Sequence, residues 1–249
     1  MPDLSSAWVW ALAATAAFCV GLSKTGLGGL GIVSVSLFAQ LFPAKESTGA
    51  LLPLMIFADF IAVWFYRRHA DWPDLLKLLP ATLAGIVCGW WLMPHIPDRT
   101  FTALLGWVIL GLMALTAAQR LRPSMMGSMG NHPRLGLAAG WATGVTTMLA
   151  NAAGAIAAFY FLARRMDKMT FVGTAAWFFL IVNLAKVPFS AQLGLINSDS
   201  LRFDALLLPI VLAGAVAGRL LLRRVPQRLF EWITIALAGA AALRLVLAA

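Results

Sequence analysis

An all-α integral membrane protein is the fold class this sequence predicts, and three observations predict it: an apolar composition, a succession of apolar segments, and an internal repetition. Hydrophobic residues make up 61% of the 249 positions and charged residues only 12%. Mean hydropathy is +0.85. Segments at about 5–22, 29–42, 48–66, 75–93, 101–118, 135–149, 152–163, 170–189, 205–222 and 229–248 are apolar enough for a hydrocarbon environment, and they leave no room for a separate soluble domain. The chain is therefore expected to be a single transmembrane domain over residues 1–249.

The first two segments form one unusual stretch. Between residues 4 and 44 Lys24 is the only charged residue, and as one straight helix this run would be on the order of 60 Å long, about twice a hydrocarbon core. Gly21, Gly26, Gly28, Gly29 and Gly31 mark where it must turn back or unwind. Irregular backbone at membrane depth is tolerated only where its freed polar groups line a cavity or are buried in protein. The glycine-rich break thus points to half of an ion or solute site.

The ten segments fall into two sets of five, about 5–118 and 135–248, divided by the polar linker 119–134. Leu79, Pro80, Ala84, Gly85 and Gly89 align with Leu208, Pro209, Ala213, Gly214 and Gly218 at one spacing, and Pro97, Arg99 and Phe101 with Pro226, Arg228 and Phe230. Agreement in register over two stretches argues for duplication. Carried upstream with small loop shifts, the alignment sets Gly21 on Gly144, Ser23 and Lys24 on Thr146 and Thr147, Gly31 on Gly154, and Asp59 on Asn183. The second half has its own break around Asn151.

Charge distribution selects between two topologies. If each broken stretch crosses the membrane once, Lys and Arg divide almost evenly between the faces. If each is a re-entrant hairpin followed by three transmembrane helices, the repeats are inverted. One face then collects Arg67, Arg68, Lys77, Arg120, Arg122, Arg134, Arg164, Arg165, Lys168, Arg219, Arg223, Arg224 and Arg228, the other keeps Lys45, Arg99, Arg202 and Arg244, and Lys24 and Lys186 stay in the membrane. Only the hairpin arrangement obeys the positive-inside rule. It places both termini outside and the basic loops in the cytoplasm.

Two hairpins of opposite orientation bring their tips toward the bilayer interior, where the second arm of each points its positive helix end at the gap between them. Such a gap suits an anion. Ser23, Thr25, Thr146, Thr147 and Asn151 supply hydroxyl and amide groups, Lys24 supplies charge, and Gly28 and Gly29 allow close backbone approach. Asn183 and Lys186 join this substrate-binding set from the second half. Asp59 is the only acid well inside an apolar segment, so it is expected to pair with a lysine, line water, or bind a coupling proton.

The glycine break, Thr48, Gly49 and Ala50 with the Asp59 segment, Arg67 and Arg68 before Trp72, the Ala84, Gly85 and Gly89 segment, and the run from Asn183 through Lys186 to Pro188 together resemble the sulfite exporter TauE/SafE family of membrane permeases. The resemblance covers nearly the whole chain. It implies secondary transport of small sulfur-containing anions, such as sulfite or organosulfonates, across a bacterial inner membrane by a multi-pass protein. The second break departs from the family pattern in having fewer glycines, Asn151 and Gly154 standing where relatives often carry more.

Other functions are disfavoured on the residues. Gly26, Gly28 and Gly31 spell a dinucleotide fingerprint, but no βαβ unit surrounds them. The net charge of +9 sits in short patches at the ends of apolar segments rather than on a nucleic-acid-binding face. Cys19 and Cys88 lie in different apolar segments, and His69, His95 and His132 are scattered, so no disulfide, metal site or cofactor is expected. No nucleophile, base and acid are grouped as in an enzyme, and no phosphate loop is present. The N-terminal run lacks the basic start of a signal peptide. The expected partners are a small inorganic or organic sulfur anion and the lipid bilayer, with no nucleic acid and with a homodimer left open. An anion channel, or a membrane subunit without transport activity of its own, remains the alternative function.

Overall fold

The computed structural model describes residues 6–26, 30–95 and 133–226, with single positions inside 107–114 and 228–247; the linker and most of segments 101–118 and 229–248 lie outside the described residues. Among the described residues the regular structure is helical throughout. Eight helices have both ends among the described residues: α1 (Ala7–Thr25), α2 (Gly31–Leu41), α3 (Ala44–Tyr66), α4 (Trp72–Leu92), α5 (Pro133–Ala150), α6 (Ala153–Ala163), α7 (Lys168–Gln192) and α8 (Ser198–Arg224). Five of them, α1, α3, α4, α7 and α8, are long and apolar enough to cross a membrane. By contrast α2 and α6, eleven residues each, reach only about 16 Å.

Helix ends follow local chemistry more than the limits of the apolar runs. Asp71 caps α4 by accepting from the Asp74 N–H at 3.1 Å, Asp167 caps α7 through Met169 and Thr170, and Asn197 and Ser200 form a reciprocal box at the start of α8. These caps begin α4, α7 and α8 two to seven residues ahead of the apolar segments at 75, 170 and 205. Pro53, Pro80, Pro188 and Pro209 lie inside helices, which is tolerated where neighbouring helices re-satisfy the freed carbonyls.

The breaks shape the ends of the short helices. At the far end of each broken stretch the chain comes back beside its start: Trp10 of α1 and Phe42, just beyond α2, both pack on Phe203 of α8, with ring centroids 5.5 and 6.0 Å away. In the second half, Gly136 near the start of α5 lies against the Tyr160 ring near the end of α6.

Glycines set how the halves meet. Gly21 of α1 abuts the Val211 carbonyl and Gly214 of α8, so closely that a Cβ there would lie 2.0 Å from the Val211 oxygen. Gly144 of α5 abuts the Thr82 carbonyl and Gly85 of α4, again 2.0 Å from the oxygen. Residues that the repeat alignment equates thus make the same contact, each time between one half's first helix and the other half's fourth. Lipid offers no hydrophobic drive for helices to associate, so such close backbone approach, with its van der Waals gain, holds the bundle together.

Candidate functional site

Helices α3 and α7 pack against each other at the centre, and there the aligned residues Asp59 and Asn183 touch: the Asn183 amide donates to the Asp59 carboxylate at 2.6 Å. Asp59 is fully buried. The Lys24 ammonium, in the last turn of α1, reaches its other oxygen at 2.9 Å and lies 4.4 Å from the centroid of the Phe179 ring. A buried carboxylate without such a cation and donor would be strongly destabilising.

The second lysine has a different environment. Lys186 of α7 is buried, and its ammonium donates to the Thr147 hydroxyl at 3.3 Å and to the side-chain carbonyl of Asn151. Asn151 in turn donates to the Thr48 carbonyl at 2.9 Å. Its backbone is left-handed, with φ of 51°, a conformation Asn adopts more readily than most side chains. This single residue therefore both turns the chain between α5 and α6 and seats Lys186. Among the described residues no carboxylate forms a salt bridge with Lys186.

A cavity of about 60 Å³ lies between these groups, lined on its polar side by Ser23, Lys24, Thr147, Asn151 and Asn183 and on its apolar side by Met55, Phe161, Phe171 and Phe179. That is room for a few waters or one small polyatomic ion. Gly31 opens α2 and Ala153 and Gly154 open α6, and all three line the cavity. Neither helix has a side-chain cap, so the N–H groups and positive ends of two helices face one space.

The sequence-predicted residues divide between the cavity and its surroundings. Helix α1 continues to Thr25 instead of unwinding at Gly21, so Ser23, Lys24 and Thr25 sit on helical turns and project at about 100° to one another. Ser23 and Lys24 reach the cavity. Thr25 turns away, donating at 2.6 Å to the Ala215 carbonyl of α8. Thr146 donates to the Thr143 carbonyl one turn back, at 3.1 Å. Asp59 and Lys186 lie behind the lining, acting on it through Lys24, Asn183, Thr147 and Asn151. Gly28 and Gly29 are outside the described residues.

At one end of the bundle a second polar cluster ties the halves. Asp74 at the start of α4 accepts from Arg164, which follows α6, at 2.5 Å, and from Lys77 at 3.1 Å. Hydrogen bonding to Asp74 holds the Arg164 guanidinium above its usual range. The Asp71 N–H donates to Thr174 of α7 at 2.8 Å, and Lys168 donates to the Leu222 and Val225 carbonyls at the end of α8. In the sequence Lys77, Arg164 and Lys168 count only among the charges of one face, and Asp74, three residues beyond Asp71, is the signal for the cluster.

An apolar helical bundle with ion-paired and amide side chains enclosed around a cavity defines a multi-pass membrane protein with an internal polar site. The family model described as sulfite exporter TauE/SafE matches residues 13–245, and the chain belongs to that family, whose members are transporters rather than enzymes. No curated protein and no solved structure matches the chain significantly.

Proposed function

We propose that this protein is a secondary transporter that moves small sulfur-containing anions, such as sulfite or organosulfonates, across a bacterial inner membrane by alternating access. The observation that carries this reading is the internal cavity onto which one lysine, two amide side chains and two uncapped helix N-termini converge. Each of these groups is a hydrogen-bond donor or a positive end, the complement of an oxyanion. Family membership supports the substrate class.

The broken stretches act as two hairpins entering from opposite faces, with the termini periplasmic. Support comes from Trp10 and Phe42 meeting on the same Phe203 ring and from the return of Tyr160 to Gly136, together with the basic residues that gather on one face under this topology. Inverted repeats of this kind place the substrate at their interface and rock around it. Here the glycine seams between α1 and α8 and between α4 and α5 are the surfaces on which the halves shift.

Asp59 and Lys24 give the site a means of coupling. While the carboxylate is ionised it holds Lys24 at 2.9 Å and competes with an incoming anion. Protonation of Asp59 weakens that pair and frees the ammonium for substrate, so anion and proton bind together. Lys186, seated on the neutral oxygens of Thr147 and Asn151, holds those two lining residues in place from behind.

Uptake of labelled sulfite and of one organosulfonate into proteoliposomes, with and without an inward proton gradient, tests this reading. Wild type should show saturable flux, Lys24→Ala should lose it, and Asp59→Asn should keep flux without its response to the gradient. Wild-type behaviour in both variants would remove the site from this cavity, and conductance linear in the driving force would make the protein a channel.

A further inference from the structure

The apolar segment that begins at 205 stops one residue short of Asp204 of α8. The helix starts at Ser198, which places Asp204 about two turns inside it, at the end opposite Arg223 and Arg224. It is 2% exposed, and neither carboxylate oxygen has a hydrogen-bond partner among the described residues. Helices α1 and α3 pack against α8. Their ionisable residues are Cys19, Lys24, Lys45, Glu46, Asp59 and Tyr66, and none forms a salt bridge or hydrogen bond with Asp204, Tyr66 donating instead to the Thr25 carbonyl; Arg202 and Asp199, on α8 itself, are exposed and pair with each other. Phe203, its neighbour in the chain, and Leu207, one turn on, belong to an apolar cluster with Trp10, Phe42 and residues of α1 and α3.

The repeat supplies an independent control. In the register that aligns Leu208 with Leu79, Asp204 falls on Leu75 of α4, which is fully buried. The packing demand at this position is thus met by a leucine in the other half, so the fold does not need a carboxylate. The neighbouring pair differs too: Asp74 of α4 meets Arg164, whereas its counterpart Phe203 closes an aromatic cluster. One end of the bundle is tied by ions, the other by rings beside an acid that has no cation.

We propose that Asp204 is a second proton-binding site, held as a neutral carboxylic acid beside the Trp10, Phe42 and Phe203 rings and exposed to water when that cluster parts. An unpaired carboxylate in this setting has neither donor nor counter-charge to replace its lost hydration, and a bound proton removes that cost. The chemistry is reversible transfer of one proton between the carboxylate and water. Helix α8 carries Gly214 and Gly218 against α1, and Thr25 donates to its Ala215 carbonyl. Movement that wets Asp204 therefore also shifts the helix that presents Lys24. This coupling role rests on the transport reading above; the proton site itself does not.

Infrared difference spectroscopy of the purified protein in lipid vesicles at neutral pH tests the site without any substrate. The expected result is a protonated-carboxyl C=O band in wild type that persists in Asp59→Asn and is missing in Asp204→Asn. Identical spectra for wild type and Asp204→Asn would overturn the proposal. Asp204→Leu, which installs the first half's residue, should remain folded and monodisperse; its collapse would mean that the acid is structural. In proteoliposomes Asp204→Asn should keep anion flux while its stimulation by a one-unit pH gradient falls by up to about tenfold. Full stimulation in a variant lacking the band would overturn the coupling role. Absence of flux in wild type, with the band present, would instead sink the transport reading and leave the proton site standing.

Discussion

The two halves place their lysines against opposite kinds of partner. Lys24, beside the first break, is held by the Asp59 carboxylate. Lys186, on the seventh helix, is held by the neutral oxygens of Thr147 and Asn151 beside the second break. Yet the backbone around them is matched: Gly21 against Gly214 and Gly144 against Gly85 are the same seam made twice. The packing is thus the same in the two halves while the charges differ: one lysine is paired with a buried carboxylate, the other is seated on neutral oxygens.

The largest effect should come from breaking the charged side of that comparison. Lys24→Ala leaves Asp59 buried with only the Asn183 amide, which is expected to cost about 3–5 kcal/mol and to lower the melting temperature in detergent substantially. Adding Asp59→Asn should recover most of the loss without restoring flux. A double variant as unstable as the single one would show that the two residues are not coupled.

The seams offer the matched side. Gly21→Ala and Gly144→Ala should each cost about 1–3 kcal/mol by overpacking against a carbonyl, and thermal scans should find the two alike. A large effect in one half only would break the equivalence. Asn151 sharpens the comparison further. Asn151→Gly and Asn151→Ala both remove the seat of Lys186 and should both reduce anion flux, but the alanine variant should be less stable than the glycine variant by about 1 kcal/mol, because only glycine adopts positive φ without strain.

The smallest effect belongs to the α7 cap. Partial burial pushes the Asp167 carboxyl up, but hydrogen bonds from Thr170 and Met169 outweigh this and hold it below the usual carboxylate range. A depressed folded value means that the cap contributes fully above the unfolded-state pKa and is lost as pH falls through the folded one. Asp167→Ala should therefore be about 1 kcal/mol less stable than wild type at neutral pH, and the difference should vanish in acid that protonates the carboxyl.

Much of this bundle was legible because apolar runs, breaks and caps are local. Glycines at 21–31 marked the first turn-back, and the doubled spacing of Pro80 to Gly89 and Pro209 to Gly218 marked the seams. The orientation of Thr25 was not legible. Whether α1 unwinds at Gly21 or continues to Thr25 sets the helical phase of three consecutive polar residues, and only the neighbouring α8 decides that. The bond from Lys186 to Asn151 depends on how α5 and α7 cross, a tertiary fact with no sequence period. Asp204 was missed for a simpler reason: an apolar window excludes a flanking acid, whereas the Asn197 cap includes it in the helix.

The swapped seams have a consequence for how this molecule is made. Gly21 finds its partner only after Gly214 has been synthesised, and Gly144 reaches back to Gly85, so neither half can complete its packing while the other is missing. A protein whose halves each finish the other is, in its contacts, a dimer joined by a linker. Separately expressed halves should then be degraded alone and recovered together.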